Sequence, residues 1–241
     1  METIMSYEKN INYRQYRNQT NLVRGGLFRS KHGETSEAIF MNSGYVFNSA
    51  EEAKARFAGE LDGYLYSRYG NPTVTMFEER MTLSEGTEAC FATASGMSAV
   101  FASLLSYLRS GDHVVSSRAL FGSCYHIIDQ ILPRYGIITH LIDGTDISQW
   151  EKHVTNKTKC IFLESPSNPT MEIIDIQSVS KIAHDHNALV IVDNILASPV
   201  LQKPLELGAD IVVYSGTKHI DGQGRSIGGA ILSSKQHYED L

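Results

Sequence analysis

The chain has 241 residues, 42% apolar and 20% charged, enough for one large domain, or a domain with a small extension, around a sizeable core. A formal charge of −6 argues against broad binding to nucleic acid or anionic membranes, which needs basic surface, while leaving room for a locally positive pocket for a small anion. Three cysteines, Cys90, Cys124 and Cys160, are odd in number, far apart and never in a CxxC pair, which excludes neither a fold nor an enzyme but points away from zinc and disulfide frameworks.

Residues 1–63 are polar and Asn-rich at first, with little periodicity before a short helical patch over 49–59. No apolar core of signal-peptide length begins the chain and no apolar stretch is long enough to span a bilayer, so a cytoplasmic protein is expected. This stretch reads as an N-terminal arm or oligomerisation segment, and 64–241 as the large domain. From Tyr64 onward the pattern becomes strands alternating with amphipathic helices.

Strands are expected over 89–93, 113–117, 138–142, 159–164, 189–194, 211–215 and 229–233. Several are continuous apolar runs, as at Cys160-Ile161-Phe162-Leu163 and Leu189-Val190-Ile191-Val192, which suits parallel strands covered on both faces. Between them, Met97, Val100, Phe101, Leu104, Leu105 and Leu108 recur on one helix face. Ile176, Val179, Ile182 and Ala183 do the same behind a candidate N-cap, Asp175. The alternation predicts an α/β fold with a mostly parallel seven-stranded sheet between helices. In such sheets ligands sit beyond the carboxyl ends of the strands.

The residues following each strand therefore carry the functional argument. After 89–93 comes Ala94-Ser95-Gly96-Met97-Ser98, either a phosphate cradle at a helix start or a tight turn with a serine cap. After 159–164 comes Ser165-Pro166-Ser167-Asn168-Pro169, a rigid turn. The strand ending at Val192 runs into Asp193, whose carboxylate is costly to bury without a partner. That partner is a cap, an internal ion pair or a cationic ligand atom. The strand 211–215 leads to Ser215-Gly216-Thr217-Lys218, where desolvation of the lysine would make its amine a nucleophile and the hydroxyls suit an oxyanion.

Three other patterns carry less. Ser215-Gly216-Thr217-Lys218 matches the S-x-x-K string of serine β-lactamases, but the companion S-D-N and K-T-G strings are absent. Gly222, Gly224 and Gly228 approach a dinucleotide fingerprint with the wrong last spacing. His184-Asp185-His186 lies late in an amphipathic helix and is expected to face solvent rather than hold a metal.

A phosphate cradle, an aspartate at one strand end and a lysine after the next are together what pyridoxal 5'-phosphate (PLP) requires: donors for its phosphate, an anion for its pyridine nitrogen and an amine for its aldehyde. Nearly the whole chain resembles the fold-type I PLP enzymes of Cys/Met metabolism, the cystathionine γ-synthase-like group. The resemblance is carried by the segments 66–73, 94–97, 164–169, 192–194 and 215–218. The stretches 120–123 and 219–225 look most like the members that act on O-succinylhomoserine.

By resemblance, Lys218 carries the cofactor and shuttles protons, and Asp193 pairs with the pyridine nitrogen. Gly96, Met97, Ser215 and Thr217 hold the phosphate, Asn168 touches the ring-hydroxyl side and Phe121 stacks on the ring. Glu164 lies near an amino-acid substrate. Tyr66 and Arg68 reach the phosphate of a neighbouring subunit, implying a homodimer or tetramer. The implied activity is γ-replacement of O-succinylhomoserine or O-acetylhomoserine by sulfide to give homocysteine, in methionine biosynthesis. Sister activities (cystathionine γ-synthase, cystathionine β-lyase, methionine γ-lyase) share every motif.

The sequence departs from the family pattern at two positions. Phe121 stands where Tyr is usual, removing a phenolic acid–base. Ile195 stands where a hydroxyl residue is common, removing a polar contact near Asp193. Family members also continue beyond the position of Leu241 into a C-terminal domain that grips the substrate carboxylate. The competing expectation is thus a shortened, catalytically silent relative with an exposed apolar face.

Overall fold

Seven strands form one sheet in the computed structural model of the protein, which describes residues 15–30 and 32–241. The polar run over 1–14 lies outside the described residues. The strands are β1 (Ala89–Thr93), β2 (His113–Ser117), β3 (Ile138–Ile142), β4 (Thr158–Glu164), β5 (Leu189–Asp193), β6 (Ile211–Ser215) and β7 (Gly229–Ser233), in the order β1-β7-β6-β5-β4-β2-β3. The neighbours from β6 across to β3 run parallel, while β7 lies antiparallel to both β6 and β1. All seven strands fall where the apolar runs place them, with ends shifted by at most one residue at β4 and β5.

Among the described residues the longer helices are α1 (Asn18–Arg24), α2 (Ala50–Phe57), α3 (Pro72–Glu85), α4 (Gly96–Tyr107), α5 (Gly122–His126), α6 (Ile147–His153) and α7 (Ile176–Asp185), accompanied by shorter helical turns. Local chemistry fixes their starts. The Ser49 hydroxyl accepts from Glu52 N, Ser95 from Ser98 N, Asp146 from Ser148 N and Asp175 from Ser178 N. The sequence reading does not register α3: its buried Met76 and Met81 lie in a segment rich in threonine, without one continuous apolar stripe. It misses α6 as well, a short helix held by the fully buried Trp150, whose indole donates to Gly144 O at 2.9 Å.

By contacts the chain divides into Met1–Leu83 and Ser84–Leu241. The change in sequence pattern near 63/64 marks where regular alternation begins, whereas the contact boundary falls inside α3. In the first unit, Asn71 ties its surroundings together at the start of α3: its amide donates to Phe40 O and Ser67 Oγ, and its carbonyl accepts from Thr73 N. Gly26, at φ +69°, sits where a Cβ would lie 2.7 Å from Glu79 Cβ, so the turn after α1 requires glycine.

In the second unit, Ala99, Val100 and Leu104 of α4 pack on Cys160, Phe162, Ile191, Ile211, Val213 and Ile231 to form a continuous core. These strand residues alternate, so they mark one face of the sheet. Continuing the alternation puts Glu164, Asp193 and Ser215 on this same face, at the carboxyl ends of β4, β5 and β6. Their neighbours Ser165, Asn194 and Tyr214 fall on the opposite face. All three cysteines are buried.

Candidate functional site

The strand order reverses between β2 and β4, since β3 lies outside β2 on one side and the chain resumes with β4 on the other. Such a reversal opens a crevice at the carboxyl ends. The loops after β2 and β4 meet there through Glu164. Its Oε2 accepts from Phe121 N at 2.6 Å and its Oε1 accepts from Asn168 N at 3.1 Å. One buried carboxyl thus fastens the two loops that carry Phe121 and Asn168. Burial pushes Glu164 up to about 7, against the opposing effect of those two amides.

Asp193 follows on the next strand, with no exposed surface. Its Oδ1 accepts from Ile195 N at 3.1 Å and its Oδ2 lies 3.9 Å from Cys124 Sγ. Burial, reinforced by the Glu164 carboxyl, pushes Asp193 up to about 8. None of the ion pairs among the described residues involves it. The structure therefore narrows the sequence alternatives: Asp193 caps only its own turn, and an internal salt bridge is not formed. The backbone amide of Ile195 supplies one polar contact despite the apolar side chain at that position.

Beside Asp193 lies a cradle of small residues. A Cβ on Gly96 would sit 2.6 Å from Ser215 Cβ, and one on Gly229 would sit 2.3 Å from Ser95 O. Only glycine permits this approach of the α4 start to the ends of β6 and β7. The serine-cap reading of this segment holds, because Ser95 caps α4, and the Gly96 and Met97 amides occupy the helix's first turn, where no intrahelical acceptor exists. Ser215 is buried, and the turn after it is stitched to Gly228: Gly216 N donates to Gly228 O, and Gly228 N donates to Thr217 Oγ1 at 3.3 Å.

Lys218 lies two residues into that turn, where the backbone leaves helical geometry (φ −91°, ψ −112°). Its side chain is exposed, so the desolvation expected from the sequence is not supplied by the described residues around it. Phe121 is also 43% exposed, and Asn168 is half-buried. In the first unit, the exposed Arg68 guanidinium lies 5.4 Å over the Tyr66 ring and 4.7 Å over that of Tyr69. Sequence reasoning misses Cys124, whose buried thiol is pushed up by burial and by the charges of Asp193 and Glu164. Only its place shortly after Phe121 could have drawn attention to it. His184 engages Asp210 at 3.0 Å, and no cluster suited to a metal exists among the described residues.

A buried carboxyl with no cation among the described residues, together with helix-start amides and hydroxyls, fits a cationic heterocycle bearing a phosphate. The residues present therefore fit PLP.

Among curated relatives, the chain is 54% identical over 217 residues to an O-succinylhomoserine sulfhydrylase of Mycobacterium tuberculosis, covering 90% of this chain and 53% of the relative. A sulfhydrylase of the same name from Pseudomonas aeruginosa is 48% identical, covering 91% and 54%. An L-methionine gamma-lyase of Fusobacterium nucleatum subsp. polymorphum is 40% identical, covering 90% and 55%. The chain thus spans about half the length of the curated relatives it matches. A crystal structure described as an O-acetylhomoserine (thiol)-lyase from Campylobacter jejuni, with N'-pyridoxyl-lysine-5'-monophosphate, superposes with a TM-score of 0.88 at 34% identity, covering 94% of this chain and 56% of that one. The family model for Cys/Met metabolism PLP-dependent enzymes matches residues 19–240, and the chain belongs to that family.

Proposed function

We propose that this chain forms the cofactor-binding part of an enzyme that replaces the succinyloxy group on the γ-carbon of O-succinylhomoserine by sulfide, giving homocysteine and succinate. The observation that carries the cofactor assignment is Asp193, a fully buried carboxyl at a strand end with no ion-pair partner among the described residues. The sulfhydrylase assignment rests on identities of 54% and 48% to two sulfhydrylases, against 40% to a methionine gamma-lyase. O-acetylhomoserine is the competing acyl donor.

Bound in the crevice, PLP would supply an electron sink for negative charge developing at the α-carbon of an amino acid. Asp193 would keep a proton on the ring nitrogen. Gly96 and Met97 amides, with the Ser215 and Thr217 hydroxyls, would hold the phosphate. Phe121 would lie on the ring face and Asn168 would contact its hydroxyl side. The Lys218 amine would carry the cofactor and take the α-proton from the substrate. Glu164 would act by holding the Phe121 and Asn168 loops, since both its oxygens are engaged by their amides. Tyr66 and Arg68 would serve the phosphate of a second copy of the chain, making the enzyme a homodimer or a tetramer.

The test is direct. The purified protein is titrated with PLP, reduced with borohydride and mapped by mass spectrometry. A visible band that borohydride bleaches, leaving a phosphopyridoxyl group on Lys218, supports the assignment, and absence of that adduct overturns it. Product analysis with O-succinylhomoserine, O-acetylhomoserine, cysteine and methionine then separates the sulfhydrylase from its sister activities.

A further inference from the structure

Behind the proposed cofactor face lies a buried hydrogen-bond chain that none of the roles above uses. Asn194 Nδ2 donates to Tyr214 Oη at 2.6 Å, and Tyr214 Oη donates to Glu85 Oε2 at 2.6 Å. At the other end, Gln202 Nε2 donates to Asn194 Oδ1 at 2.8 Å and to Ser165 O at 2.7 Å, while Asn194 Nδ2 also donates to Gln202 O at 2.8 Å. Ser165, Asn194, Tyr214 and Glu85 are each at most 1% exposed.

The register explains what this chain joins. Ser165, Asn194 and Tyr214 each adjoin one of Glu164, Asp193 and Ser215, on three consecutive strands or at their ends. Because side chains alternate across a sheet, the polar chain occupies the face opposite those three residues. A shift of one strand end along its axis would break a bond in the chain. We propose that Glu85, Tyr214, Asn194 and Gln202 form a positioning element, which fixes the relative heights of the β4, β5 and β6 ends and thereby the spacing of Asp193 from the Ser215–Lys218 turn.

None of the four needs to touch the cofactor. Removing the Tyr214 hydroxyl takes one acceptor from the buried Asn194 amide, which keeps Gln202 O, and the hydroxyl donor from the buried Glu85 carboxyl, and such losses are costly in a buried network. The proposal rests on the reading of Asp193 and Lys218 as cofactor ligands.

The experiment titrates the full chain with PLP by its visible band and its visible circular dichroism, for the unsubstituted protein and for Tyr214→Phe, Glu85→Gln and Gln202→Met. Tyr214→Phe is expected to weaken PLP binding about tenfold and to change the dichroism of the band. Glu85→Gln keeps an acceptor for Tyr214 and is expected to stay within about twofold. Gln202→Met, at the partly exposed end of the chain, retains the fold if Tyr214→Phe does not, and is expected to weaken binding about threefold. Folded variants that melt lower without PLP yet bind it with unchanged affinity and dichroism would overturn the positioning role alone. Absence of any band in the unsubstituted protein would overturn the cofactor reading, and this proposal with it.

Discussion

Glu164 and Asp193 are register partners on the adjacent parallel strands β4 and β5, and both carboxyls are buried on the same face of the sheet. Each is pushed up by burial, Glu164 to about 7 and Asp193 to about 8, and the Glu164 carboxyl adds to the rise at Asp193. They differ in their partners. Glu164 accepts from two loop amides, whereas Asp193 has one backbone amide and a distant thiol. The pair therefore separates a structural carboxyl from one still lacking a strong donor.

This pair sets a pH dependence for the cofactor-free protein. Both folded values lie above the ordinary values of 4.5 and 3.8, as does that of Glu85, raised by burial to about 7. A raised carboxyl binds its proton more tightly when folded, so its contribution is complete below the unfolded value and is lost as pH rises through about 7–8. The cofactor-free protein should melt roughly 5 °C or more lower at about pH 8.5 than at about pH 5. A cationic ring nitrogen beside Asp193 would favour its carboxylate, so the stabilisation added by PLP should grow over the same range. Thermal melts at both pH values, with and without PLP, check both signs.

Substituting Asp193→Asn retains the shape but removes the anion. Under the proposed function, turnover should fall by about 10²–10³-fold, the scale of losing one preorganised electrostatic partner. The folded protein should not be destabilised, because the buried acid pairs with no cation among the described residues, and melting without PLP separates the two effects.

At Glu164 the loss should be structural. Glu164→Ala strands the amides of Phe121 and Asn168 and should cost about 2–4 kcal/mol. Glu164→Gln keeps one carbonyl acceptor and should cost less than half of that. Urea unfolding of both variants measures the difference. A neutral Glu164→Ala would refute the fastening role.

The Gly96–Ser215 contact predicts a steric effect at the proposed phosphate cradle. Gly96→Ala places a methyl 2.6 Å from Ser215 Cβ. The start of α4 must then move away, costing about 1–3 kcal/mol in stability. Phosphate binding should weaken as well, read as a raised Kd for PLP. Gly122→Ala, where a Cβ meets nothing within 4 Å, is the control.

Much of the frame was legible along the chain. Continuous apolar runs gave the strands, since residues covered on both faces leave a signal no surface segment imitates. Asp175 was readable as a cap because its bond to Ser178 N closes within one turn. The short α6 was not, since the burial of Trp150 that holds it is tertiary. At the site, the motif positions could be read, but the desolvation foreseen for Lys218 does not appear, because exposure depends on what surrounds a turn rather than on the strand that precedes it.

By itself the sequence determined the order of the elements and the residue types that end each strand, because both follow from local periodicity and backbone chemistry. The tertiary structure alone decided that Glu164 fastens two loops, that Asp193 pairs with no cation among the described residues, and that Tyr214 links Asn194 to Glu85. Those outcomes depend on strand register, which brings together groups far apart in the chain.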